Sequence, residues 1–115
     1  TPTIIFKDEK PYLVFGTPGG SRIITTVLQV ALNVMTHDMN VAQAVNSPRI
    51  HHQWLPEVLM IEDGFGADTK ALLKKKGYRL YPSRTMGSVQ AILMKDGYFY
   101  GAADPRRPSA GAVSP

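Results

Sequence analysis

The sequence predicts an α+β domain with helices packed on antiparallel sheet, and three observations carry that expectation. Short β-branched and aromatic runs lie near both ends: Thr3-Ile4-Ile5-Phe6 and Tyr12-Leu13-Val14-Phe15 early, Gly87 to Met94 and Tyr98-Phe99-Tyr100-Gly101 late. Turn chemistry separates the members of each pair, Asp8-Glu9-Lys10-Pro11 in the first and the favoured hairpin dipeptide Asp96-Gly97 in the second. Between the pairs the apolar period lengthens to that of a helix. Strands at both ends with helices between them describe a layered α+β domain, expected to occupy residues 1–115 as one unit.

In chain order, the first hairpin delivers the backbone to Gly16. From Ser21 a long helix is expected, with Ile24, Val27, Leu28, Ala31, Leu32 and Met35 on one stripe and Ile23, Val30 and Val34 widening it. So broad an apolar circumference predicts cover on more than one side. His37, Asp38 and Asn40 end this helix, and Asn40 has the chemistry of an N-cap for a short second one through Val45, stopped by Ser47-Pro48. Arg49 to Leu55 is irregular or briefly extended, and Val58-Leu59-Met60-Ile61 is a strand. Ala67 or Asp68 starts an amphipathic helix that runs through Lys74-Lys75-Lys76 to a Gly77 stop. Tyr78 to Tyr81 alternates as a strand, and Pro82-Ser83 turns. The tail from Asp104, rich in Pro, Arg, Ser and Ala, is expected to be surface-bound or frayed.

Composition excludes more than it selects. The chain has 115 residues, 43% of them hydrophobic, enough for one globular core. Its net charge of +4 is spread along the chain except at Lys74 to Lys76 and Arg106-Arg107, so it points to no nucleic-acid partner. The absence of cysteine rules out a disulfide framework and a thiolate zinc site. Thr25, Thr26, Gln29 and Asn33 interrupt the longest apolar stretch, so no membrane span is expected. The first residues lack a charged n-region and an apolar h-region, and no signal peptide is expected within them.

The stretch GTPGGSRI, Gly16 to Ile23, concentrates glycines where a strand becomes a helix. Glycine carries an entropic cost, so three around Pro18 imply unusual backbone angles or close approach of another group. One reading is a tight turn needing positive φ. A second is a phosphate cradle at a helix N-terminus. No lysine follows the last glycine and no G-x-G-x-x-G fits, so the nucleotide motifs are absent. A third is an oxyanion hole, in which bare glycine amides meet a tetrahedral oxyanion. The neighbours His51 and His52 would point to opposite faces of a strand, which suits hydrogen bonding and packing better than shared metal ligation. Asp104-Pro105-Arg106 admits a buried ion pair or a substrate clamp, although a carboxylate and a guanidinium two residues apart more often fix a turn or the tail. Thr25, Thr26 and Thr36 have no paired base in sequence and are assigned structural roles.

Taken in order, GTPGGSRIITTVLQV, NVAQAVNSPRIHHQWLPE, the helix ending in KKKGY, TMGSVQAI and DGYFYGAADPR closely resemble the C-terminal part of the small subunit of γ-glutamyltranspeptidases. The resemblance spans essentially the whole chain. It implies part of an N-terminal-nucleophile hydrolase αββα sandwich. In that family a precursor cleaves itself to expose a threonine, which attacks the γ-glutamyl amide of glutathione with its own α-amine as base. The acyl-enzyme then passes the glutamyl group to water, an amino acid or a peptide. The family's oxyanion-hole pair falls on Gly19 and Gly20, which are thereby both catalytic and substrate-binding.

The nucleophile, its supporting threonine and the Asn and Asp that hold the glutamyl amine would lie upstream of Thr1. The serine pair for the substrate carboxylate would fall just before Thr1, and the substrate-binding arginine belongs to the large subunit. Thr1 itself matches the start of an internal strand and is not the nucleophile. The resemblance thus implies a fragment inactive alone, partnered by the large subunit and the remainder of the small subunit, with no cofactor or metal and a periplasmic or extracellular location. Two rival readings are a related acylase acting on a cephalosporin side chain or a poly-γ-glutamate, and a non-catalytic binding or scaffold module.

Overall fold

A computed structural model describes residues 2–113; Thr1, and with it the reading of Thr1 as the start of an internal strand, lies outside the described residues. The chain enters a hairpin of β1 (Pro2–Lys7) and β2 (Lys10–Gly16). Asp8 and Glu9 form a two-residue turn, both with positive φ, so Lys10 and Pro11 belong to the second strand. After α1 (Arg22–Met35) and α2 (Val41–Asn46) come β3 (Ile50–His51), β4 (Leu59–Ile61), α3 (Ala67–Lys75) and β5 (Leu80–Pro82). The second hairpin, β6 (Gln90–Lys95) and β7 (Tyr98–Ala103), turns at Asp96-Gly97 as the dipeptide predicts.

The two hairpins join into one antiparallel sheet in the order β1-β2-β6-β7, with Leu13 opposite Leu93 and Phe15 opposite Ala91 where β2 meets β6. Helices α1 and α2 lie on one face of it. Leu13, Phe15, Ala91, Leu93 and Ala102 from the sheet meet Val30 and Val34 of α1 and Val41, Ala44 and Val45 of α2 in a single buried cluster. The other face is apolar as well: Ile4, Val14 and Ile92 lie side by side across three strands, and Ile4 and Ile92 are exposed. A second sheet, β3-β4-β5, pairs β4 with β5 in parallel, because α3 carries the chain back over it as a crossover.

Helix α2 begins as its sequence implies. The Asn40 side chain accepts from the Gln43 N–H while the Gln43 side chain accepts from the Asn40 N–H, a complete capping box. Helix α1 departs from expectation in which face it buries. Thr26, Val30 and Val34 form the buried line; of the expected main stripe, Val27 and Ala31 pack beside that line, whereas Ile24, Leu28, Leu32 and Met35 are exposed, Ile24 by 77%. Sequence periodicity locates an apolar surface broad enough for two contacts, and within this chain Val30 and Val34, with Val27 and Ala31 beside them, make the intramolecular one.

Two further expectations are corrected. Gly87, Ser88 and Val89 precede β6 rather than opening it, because Gly87 has φ +75° and side chains from elsewhere take the Ser88 and Val89 N–H groups. The chain at Asp104 is not frayed: Asp104 is fully buried and Arg106 nearly so. Among the described residues no helix is long and apolar enough to cross a membrane.

Candidate active site

At the end of β2 the chain leaves the sheet through Thr17, which is buried, and Pro18, Gly19 and Gly20, which are exposed. Gly19 has φ +148° and Gly20 φ +59°, a pair of conformations that L side chains adopt only with strain. The conformational reading of the glycines is therefore correct as far as it goes. The Gly19 and Gly20 carbonyls accept from the N–H groups of Arg22 and Ile23 at 3.2 and 3.1 Å, which starts α1. Among the described residues neither the Gly19 N–H nor the Gly20 N–H has an acceptor. Ser21, the N-cap residue, makes no side-chain cap bond, and no acidic residue occupies the first turn of α1. The positive end of a 14-residue helix and two unpartnered amides on exposed glycines thus coincide, an arrangement suited to a negatively charged oxygen.

The Ser21 hydroxyl instead donates to Gln53 Oε1 at 2.8 Å, tying the helix start to the segment after β3. Gln53 Nε2 donates to the Leu55 carbonyl, so Oε1 is the acceptor for both Ser21 and His51 Nε2–H. His51 Nδ1 is then the acceptor for the Thr25 hydroxyl, 2.7 Å away. His51 is buried and uses both ring nitrogens in this chain of bonds, the hydrogen-bonding role expected of it. His52 faces elsewhere: its Nδ1 accepts from the Trp54 N–H and its ring meets Tyr78 edge-on at 6.2 Å. Thr25 and Thr26 serve α1 and its contacts, and the Thr36 N–H caps α1 through the Leu32 carbonyl. Lys74 to Lys76 are exposed at the basic end of α3.

Beneath the turn lies a buried charge network that reading along the chain did not assemble. Asp104 Oδ2 accepts from Arg49 Nη2 at 2.8 Å, and Oδ1 accepts from Arg106 Nη1 at 3.1 Å. Glu62 accepts from Arg106 Nε and Nη2 and from the backbone N–H groups of Arg49 and Met86. Arg49 also donates to the Met86 and Val45 carbonyls, and Arg106 to the Val45 and Ser47 carbonyls. Two guanidinium and two carboxylate groups therefore balance in a buried site, joining the end of α2, the end of β4, the segment before β6 and the tail.

Burial alone would push the Asp104 carboxyl up. The Val89 and Arg106 amides and the Arg49 guanidinium outweigh it and hold the group below its ordinary value of 3.8. Burial lowers Arg49, and the nearby Arg106 cation adds to this. Burial opposes Arg106 as well, yet its bonds to Glu62 and Asp104 raise it. The available signal was modest: Arg49 sits between Pro48 and Ile50, Glu62 directly follows an apolar strand, and Asp104 and Arg106 bracket a proline.

Comparison with known proteins gives consistent results. The family model described as Gamma-glutamyltranspeptidase matches residues 1–114. The glutathione hydrolase proenzyme of Escherichia coli (strain K12) is 54% identical over 107 residues, 92% of this chain and 18% of that protein. The Bacillus subtilis (strain 168) proenzyme is 39% identical over 113 residues, 96% of this chain and 19% of that protein. The chain thus spans about a fifth of the length of these relatives. Among solved structures, a T380A mutant of Helicobacter pylori gamma-glutamyltranspeptidase superposes with TM-score 0.88 at 51% identity, covering 93% of this chain and 60% of that one. The Pseudomonas nitroreducens enzyme complexed with L-DON superposes with TM-score 0.89 at 35% identity, covering 100% and 62%. Both share the α+β fold, that of the N-terminal-nucleophile hydrolases.

Proposed function

This chain belongs to the γ-glutamyltranspeptidase family, and from that premise we propose that the whole protein is a γ-glutamyltransferase and glutathione hydrolase in which Gly19 and Gly20 form the oxyanion hole. Residues 1–115 are then the C-terminal portion of the small subunit, one domain fragment completed by the rest of that subunit and by the large subunit. The apolar outer face of the four-stranded sheet, with Ile4 and Ile92 exposed, supports a second layer there, as in an αββα sandwich. The location that accords with this reading is periplasmic or extracellular.

The reaction assigns this chain one task. A threonine outside it attacks the γ-glutamyl carbonyl, its own α-amine taking the hydroxyl proton, and the carbonyl oxygen becomes an oxyanion. The Gly19 and Gly20 amides donate to that oxygen, and the helix end behind them adds favourable potential. Collapse expels the amine of the leaving peptide, which takes up the proton, and leaves a glutamyl ester. Water or an acceptor amine then repeats the addition at the same carbonyl, so the amide pair acts twice per turnover.

The observation that carries this reading is the pair of exposed, unpartnered amides at the start of α1. It is tested in the full-length protein with Gly20→Val. A Cβ at Gly20 meets nothing within 4 Å, so the added bulk occupies open space where the oxyanion would sit. Its folding penalty is at least that of an ordinary left-handed residue, about 1–2 kcal/mol, because valine is β-branched. Release of a chromogenic amine from a γ-glutamyl anilide is expected to fall by roughly 10²–10³ in kcat. Unchanged kcat removes Gly20 from the site, and turnover by residues 1–115 alone overturns the division of roles.

A further inference from the structure

The direction in which the Gly19 N–H points is decided by the hydroxyl of Thr17, to which the readings of the glycine stretch give no role. The Pro18 carbonyl and the Gly19 N–H lie in one planar peptide unit and point in opposite directions. Thr17 Oγ1 donates to that carbonyl at 2.7 Å, drawing it toward the buried side. The Gly19 N–H must then face outward. Thr17 is itself buried, and its Oγ1 accepts from the Ser88 N–H at 2.8 Å, so the hydroxyl joins the turn to the segment Met86–Val89.

That segment is anchored at every residue but one. Glu62 takes the Met86 N–H, Arg49 Nη1 donates to the Met86 carbonyl at 2.6 Å, and Asp104 Oδ2 accepts from the Val89 N–H at 2.8 Å. The exception is Gly87, whose φ is +75° and whose bare face lies against the turn. A Cβ there would stand 2.5 Å from Thr17 Oγ1 and 3.4 Å from the Pro18 carbonyl oxygen. A Cβ at Gly19 would in turn meet Gly87 Cα at 3.7 Å. The buried charge network, the segment and the turn are therefore in continuous contact.

We propose that Thr17 and Gly87 are positioning residues for the oxyanion hole: the Met86–Val89 segment, held by the charge network, fixes the Gly19 amide through the Thr17 hydroxyl and the close fit at Gly87. This rests on the role given above to Gly19 and Gly20. It assigns to Thr17 a hydrogen-bonding duty rather than one of filling space. Valine matches threonine in shape and lacks the hydroxyl, and serine keeps the hydroxyl and loses the methyl.

The test compares full-length wild type with Thr17→Val, Thr17→Ser and Gly87→Ala, following the first turnover of a γ-glutamyl anilide. The acylation rate constant and the substrate dissociation constant are obtained separately. Rates are referred to the amount of matured enzyme, counted from the burst of released amine. In Thr17→Val and Gly87→Ala the acylation rate is expected to fall roughly tenfold to a hundredfold, since misplacement of catalytic groups by about an ångström has effects on that order. The dissociation constant should stay within about threefold, because the groups that hold the glutamyl amine and carboxylate lie outside this chain and the amides meet full negative charge only after attack. Thr17→Ser should restore the rate to within about threefold. An acylation rate within about twofold of wild type in Thr17→Val or in Gly87→Ala overturns the proposal, as does a loss in Thr17→Val that serine does not restore. Wild-type protein inactive on the anilide overturns instead the function on which the proposal rests.

Discussion

Replacing Asp104 with asparagine removes one charge from the buried network while keeping the side chain's shape. Asp104 is fully buried and accepts four hydrogen bonds: the Val89 N–H and Arg49 Nη2 on one oxygen, the Arg106 N–H and Arg106 Nη1 on the other. Whichever oxygen becomes an NH₂ group, it faces two donors. Arg49 and Arg106 are left to share Glu62, one anion for two cations. Breaking a buried ion pair by removing one partner costs about 3–5 kcal/mol. At about 1.4 kcal/mol per tenfold, local opening becomes roughly two to nearly four decades more frequent. The assay is amide hydrogen exchange of the full-length protein at neutral pH, read on peptides covering Met86–Val89 and Asp104–Arg106, where the Val89 N–H is bound by Asp104 and the Asp104 N–H by the Val89 carbonyl. Acceleration of less than about tenfold at these amides refutes the reasoning, because a desolvated brace cannot lose a charge so cheaply.

Two further outcomes follow from the same structure. The Asp104 carboxyl is held below its ordinary 3.8 in the folded protein, so its contribution to stability is complete above that value and is lost as pH falls through 3.8 toward the depressed folded value. The difference in thermal midpoint between wild type and Asp104→Asn should therefore be constant from neutral pH to about 5 and shrink below about 4, and an equal difference at pH 7 and at pH 3 contradicts the assignment. Leu13 is fully buried where β2 faces α1 and α2. Leu13→Ala should destabilise the protein by about 2–5 kcal/mol, measured by denaturant unfolding, and a loss under about 1 kcal/mol would mean the cluster is not close-packed.

Local chemistry was enough to read most of the elements and the candidate site. Asp96-Gly97 specifies its hairpin because both positions accept positive φ. Asn40 and Gln43 specify the start of α2 because their bonds close within four residues. Gly19 and Gly20 of GTPGG mark a positive-φ turn at a helix start for the same reason, whereas Gly16 ends β2. These are short-range effects, and the order of the motifs along the chain carries the family with them.

Tertiary structure decided what depends on distant partners. Helix α1 offers an apolar surface wide enough for two contacts, and only the position of the sheet and α2 determines that Val30 and Val34, rather than Leu28 and Leu32, face inward. Arg106 reads as a tail residue until Glu62, 44 positions earlier, is brought against it. A charged residue's sequence neighbours do not reveal whether a counter-charge will share its desolvation, so burial of Arg49, Glu62, Asp104 and Arg106 follows only from the assembled fold. The same holds for Thr17: its hydroxyl lies beside Ser88 only because β2 and β6 pair, and that pairing joins the glycine turn to the segment held by the charge network.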